Sequence, residues 1–168
     1  MKKALVAFLS IVLIGSIFTG CLFEPRLTEE EKVSVGIGTV LIVGFSEIYY
    51  ALNSYELEGM SGTIGEDGSI DVTWTNFDWG AMDPTDDLDP GAIVMSGTHK
   101  VTISGTTLTS KMDVTIKLNT DDAPTGTFKV ILEIKTLDYE SDDSTPEIIK
   151  FTVNGSSVDL DLIEDELW

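Results

Sequence analysis

From Leu57 onward, apolar and polar residues alternate with a period of two, and no other feature of the chain narrows its fold as much. The clearest run is 106–118. Leu108, Met112, Val114, Ile116 and Leu118 share one face, with Ser110 the exception, while Thr109, Lys111, Asp113, Thr115 and Lys117 take the other. Such alternation belongs to a strand with one face on a core and one in water. Residues 127–138 repeat the design, with Phe128, Val130, Leu132 and Ile134 set against Lys129, Glu133 and Lys135. Further strands are predicted over 57–64, 69–77, 93–104, 148–153 and 158–163. Gly65-Glu66-Asp67-Gly68, Gly105 and Asn154-Gly155 supply turn chemistry between them. Every connection is short enough for antiparallel neighbours. The expectation is an up-and-down meander of about seven strands over roughly residues 57–163.

A sheet with one apolar face must cover it. Ahead of the meander, Thr28 followed by Glu29-Glu30-Glu31 has the form of a capping box, with acids at the positive end of a helix dipole. Val33, Ile37, Val40, Leu41, Ile48 and Leu52 then recur near helical spacing. A strand competes for the same stretch, because Val33, Val35, Ile37, Leu41, Val43 and Phe45 alternate. Gly36, Gly38 and Gly44 also cost a helix about 1 kcal/mol each relative to Ala. The start signal favours a helix over about 28–53, and its glycines allow close seating on whatever it packs against. The predicted fold class is therefore α+β: an N-terminal helix on a curved antiparallel meander, with an all-β barrel or sandwich as the alternative.

The first twenty-one residues form a separate unit. Lys2 and Lys3 precede an uncharged apolar run, 4–17, which is shorter than the ~20 residues a spanning helix needs. Phe18-Thr19-Gly20-Cys21 then closes the segment with the only cysteine of the chain. A basic end, a short apolar core and small residues before a cut make a secretory signal. A plain signal peptide or an N-terminal anchor with Cys21 incidental satisfies the same layout. With its Cys directly after Thr19-Gly20, the segment resembles the bacterial lipoprotein class, with Phe18 where Leu, Val or Ile is usual. The resemblance covers residues 1–21 only. It implies cleavage before Cys21 and a diacylglycerol on its sulfur. By composition and length the remainder reads as a tether, 21–27, and a single domain, 28–168. Leu22 resembles the residue that follows the cysteine in lipoproteins sent to the outer membrane, where a cell has two. The expected location is then the extracytoplasmic face of the cell envelope.

Charge narrows the partners. The chain has 10 basic and 29 acidic residues, and only Lys2 and Lys3 are charged within 1–20, so the mature chain carries 8 against 29, a net of −21. That charge repels nucleic acid and anionic head groups and excludes a nucleic-acid-binding role. The acids are scattered over strands and turns, as on a solvated surface.

Familiar catalytic patterns are missing: there is one His and one Cys, and no Ser-His-Asp order, zinc cluster, Gly-rich phosphate loop or dinucleotide fingerprint. His99 alternates with Met95, Val101 and Ile103, so it should face the core or lie near a strand end, in a structural role. The expectation is a non-catalytic protein without a resident cofactor. The one dense polar loop holds Asp83, Asp86, Asp87 and Asp89, oxygen ligands of the kind Ca²⁺ takes six to eight of, although the EF-hand order is lacking. Just before it, Trp74 falls on the inward face, while Trp79 lies past the alternation and is the candidate for an exposed, ligand-stacking ring. Tyr49 and Tyr50 are placed between helix and sheet. Three functions follow: a membrane-anchored protein-interaction module, a carrier or sensor of an apolar ligand between helix and sheet, and a Ca²⁺-assisted adhesion or carbohydrate-binding module.

Overall fold

The computed structural model describes residues 27–53, 56–82, 88–120, 124–141 and 143–162. The expected α+β architecture is present: one N-terminal helix lies against an open, seven-stranded antiparallel sheet whose strands are ordered in space as in sequence. The strands are β1 (Met60–Ile64), β2 (Ile70–Asp78), β3 (Ile93–Ser104), β4 (Thr107–Leu118), β5 (Gly126–Thr136), β6 (Pro146–Val153) and β7 (Ser156–Ser157). A single turn of 3₁₀ helix, Gly80–Met82, follows β2. The sheet does not close into the alternative barrel, since β1 and β7 are its two edges.

Local chemistry sets the register. Asn154 and Gly155 both have positive φ, 50° and 76°, the combination that a two-residue hairpin turn needs, and Thr152 pairs with Ser157 across it. The β3–β4 hairpin turns at Gly105-Thr106 and pairs Ser104 with Thr107 through to Ile93 with Leu118. Along β4 the predicted faces are observed. Met112, Val114, Ile116 and Leu118 are buried, and Lys111, Asp113, Thr115 and Lys117 are exposed. Across the wet face Lys100 pairs with Asp71, Lys111 with Glu133 and Lys129 with Asp113. Such exposed pairs contribute at most about 1 kcal/mol each.

The predicted last strand is corrected. Residues 158–163 alternate like a strand, but pairing ends at Ser157, and 161–162 begin a helical turn. Val158 donates one more backbone hydrogen bond, to Phe151 O, and the Asp159 carboxylate then accepts the Asp161 N–H at 3.1 Å. That local Asp turn competes with the ladder and ends it.

The helix, α1 (Glu29–Leu52), starts at the predicted capping box. Thr28 Oγ1 accepts the Glu31 N–H at 3.2 Å, and the Thr28 N–H donates to Glu31 Oε2 at 2.7 Å. The helix crosses the whole sheet. Gly36 sits over Phe151 of β6, Ser46 accepts the indole N–H of Trp74 of β2 at 3.1 Å, and the Tyr50 hydroxyl lies 3.4 Å from Gly62 O of β1. Val72, Trp74, Met95, Val114, Phe128 and Val130 form the floor beneath it.

Of the three helical glycines, Gly36 alone is needed for this contact. A Cβ at 36 would stand 2.6 Å from Phe151 Cζ, whereas at 38 and 44 it would meet nothing within 4 Å. Gly36→Val should therefore destabilise the fold by about 1–3 kcal/mol through overpacking. Gly44→Ala should stabilise it by up to about 1 kcal/mol through helix propensity. Urea midpoints of the two variants check both signs.

Candidate functional site

Three polar residues enter apolar faces, each on a different element, and the fold brings them together. Glu47 is the only charged residue of α1 after Lys32, and it points inward. His99 occupies an inward position of β3, and Ser110 the one polar break in the inward face of β4. Glu47 Oε1 lies 2.7 Å from His99 Nδ1, and His99 Nε2 lies 2.9 Å from Ser110 Oγ. His99 is directly opposite Met112, so Ser110 is its diagonal neighbour, within reach of an imidazole. The Glu47 side chain is 8% exposed and that of His99 13%.

With Glu47 ionised, Nδ1 carries the proton and donates it to the carboxylate. Nε2 then accepts from the Ser110 hydroxyl if the ring is neutral, or donates to Ser110 Oγ if it is cationic. Carboxylate, imidazole and hydroxyl stand in the order of a serine-hydrolase relay. The surroundings do not fit acyl transfer. Ser110 lies mid-strand, paired with Val101 on one side and Ile134 on the other, so its backbone amide belongs to a flat ladder. A nucleophilic serine instead stands where backbone N–H groups converge on a developing oxyanion. What the geometry does achieve is attachment: a charge-assisted hydrogen bond fastens the second half of α1 to the middle of the sheet.

The rest of the inward face of α1 is small or hydroxylated. Gly36, Thr39, Val43, Ser46 and Glu47 are buried, and Thr39 and Ser46 return their hydroxyl protons to the carbonyls of Val35 and Val43. Four large apolar residues face away from the sheet, while Ile37 and Ile42 pack partly against the core. Leu41 is 55% exposed, Phe45 58%, Ile48 59% and Leu52 77%. This corrects the expected stripe in part: Val33 is buried and Ile37 and Val40 pack on the core, but Leu41, Ile48 and Leu52 are on the outer surface. Trp74, Phe128 and Phe151 already fill the space beneath, so the helix brings its small residues to the contact. Among the described residues α1 is also the one helix long and apolar enough to cross a membrane by length and composition.

The residues expected to carry chemistry elsewhere are only partly within view. Cys21, Asp83, Asp86 and Asp87 lie outside the described residues. Asp89 is exposed, and its carbonyl accepts the Ala92 N–H. Among the described residues no group of three or more His, Cys, Asp or Glu is arranged to hold a metal ion. Trp74 is buried as predicted. Trp79 is half-buried and packs on the core, with its ring centroid 6.1 Å from that of Phe77. Tyr50 is buried between helix and sheet, as expected. Both ends of the loop are fastened by Asp78, whose carboxylate accepts the N–H groups of Ala81 and Gly91. No family profile, curated protein or solved structure matches the chain.

Proposed function

We propose that the protein is a non-catalytic lipoprotein, anchored through Cys21 to the extracytoplasmic face of a membrane, whose domain makes protein contacts through the outer face of α1. One observation carries this reading: a solvent-facing row of large apolar side chains on a helix that begins eight residues after Cys21. Contiguous exposed apolar surface on a soluble domain marks a contact site. It stands out more on a chain with 29 acidic residues. The tether spans at most about 3.5 Å per residue, so the start of α1 would be held within roughly 30 Å of the bilayer. Two or three acyl chains would hold the domain there firmly, at about 0.8 kcal/mol per buried CH₂. The close seating of Gly36 on Phe151 supports contacts made on the outside of the helix over an apolar ligand carried beneath it.

Mass spectrometry of protein extracted from native membranes tests the anchor. The wild type should begin at Cys21 and carry a diacylglyceryl mass. Cys21→Ser should remain an uncleaved precursor without lipid. A wild type lacking that mass, or a lipidated Cys21→Ser variant, would remove the anchor from the reading.

A further inference from the structure

We infer that the partner on the outer face of α1 is a second copy of this chain, its own α1 packed antiparallel across a twofold axis. The outward positions Ser34, Gly38, Leu41, Phe45, Ile48 and Leu52, exposed apart from the half-buried Gly38, are spaced four, three, four, three and four residues apart. That is the seam of a two-helix coiled coil, which needs apolar or small residues at alternating steps of three and four. No charged residue interrupts this face between Ser34 and Leu52, because Glu47 is turned inward onto His99.

Size along the seam is graded, from small at its start to large at its end. A twofold axis at the middle of the seam sets Ser34 against Leu52, Gly38 against Ile48 and Leu41 against Phe45. Each pairing joins a smaller residue to a larger one, so a single surface complements itself, as an isologous interface requires. A parallel pair would instead set Gly38 on Gly38 and Phe45 on Phe45, leaving a gap at one end and crowding the other. The open space around Gly38, where a Cβ would meet nothing within 4 Å, is the notch that Ile48 of the other copy would fill.

The area suffices. Each large side chain of the seam leaves more than half its surface open. Four from each copy, with the flanks of the helices, would cover about 1,000 Å² in total, the size at which an interface becomes specific. The antiparallel arrangement also sets the positive end of each helix dipole beside the negative end of the other. This inference names the partner for the proposed contact face. It rests on that assignment and is independent of lipid at Cys21.

Cysteine cross-linking of the full chain in native membranes tests it. Ser34→Cys and Leu52→Cys are produced separately and together, then treated with an oxidant and, in parallel, with a water-soluble maleimide. The inference expects disulfide dimers when the two variants are mixed and few from either alone, with the mixed product at least tenfold in excess. Phe45→Glu added to both should abolish it while leaving the circular dichroism unchanged. Cross-linking within each single variant, but not between them, would show parallel pairing and overturn the antiparallel arrangement. No cross-link in any sample would overturn the second copy as partner. In that case a Leu52→Cys thiol shielded from maleimide would mean that a bilayer or another protein covers the face. A freely labelled thiol would remove the contact-face reading as well.

Discussion

His99→Leu should lower the unfolding free energy by about 3–5 kcal/mol, the cost of leaving a buried carboxylate without its partner. Leucine approximates the volume of imidazole, so the loss falls on the electrostatics of Glu47 and not on packing. Glu47 has little access to water, and its carboxylate accepts from His99 Nδ1 at 2.7 Å. The second change is the informative one. Glu47→Leu together with His99→Leu removes both ends of the pair, and replacing a buried ion pair by apolar residues is often neutral or stabilising. The double variant should therefore recover most of the loss, and a double-mutant cycle isolates the coupling. Ser110 is half-buried, so water can take over its hydroxyl once the ring is gone. Urea titrations of the wild type, the two single variants and the double variant make the measurement. A His99→Leu protein as stable as the wild type would show that the carboxylate is hydrated and the relay does not fasten α1.

The relay also shows where sequence reasoning stopped. Its three members were each visible as an irregularity: Ser110 broke the apolar face of β4, His99 fell on the inward face of β3, and Glu47 interrupted an apolar helix. A buried polar group must find a partner. Three polar residues pointing into one core therefore required one another, and sequence alone did not say that Glu47 lay over the β3–β4 hairpin. Strand faces were legible because their period of two leaves little choice. The helix was legible at its cap but not in its orientation, since Val33, Val35 and Val43 face the sheet while Leu41, Phe45 and Ile48 do not. Which face of a mostly apolar helix turns inward is decided by what fills the sheet below, here Trp74, Phe128 and Phe151. The last strand was lost to the local turn at Asp159, which an alternating pattern does not reveal.

Val114→Asp should be the most damaging single change in the sheet. Val114 is fully buried at the centre of β4, between Gly97 of β3 and Val130 of β5, with Met112 and Ile116 beside it on the same face. Among the described residues no lysine or arginine is seated on that face close to it: Lys111, Lys117 and Lys129 lie on the opposite, wet side of the sheet, and the diagonal neighbour on the inward face, His99, is already engaged by Glu47 and Ser110. An aspartate at 114 must therefore be ionised without a partner or held protonated in the core. Either state removes more than 4 kcal/mol, a large part of the ~5–15 kcal/mol that stabilises a typical domain. Two controls separate charge from shape. Val114→Ala removes two methyl groups and should cost about 2 kcal/mol. Val114→Asn is polar and uncharged, so its difference from Val114→Asp measures ionisation alone. Burial raises the folded-state pKa of an unpartnered carboxyl above its unfolded value, so the penalty is complete above the folded pKa and is relieved as pH falls towards the unfolded one. The gap between the Asp and Asn variants should accordingly narrow from pH 7 to pH 5 in matched urea titrations. On the outer face of the same strand, Thr115→Asp should move stability by no more than about 0.5 kcal/mol, because Thr115 is exposed and faces Lys129 of β5. Equal effects at 114 and 115 would mean that the two faces of β4 are not distinguished as the fold requires.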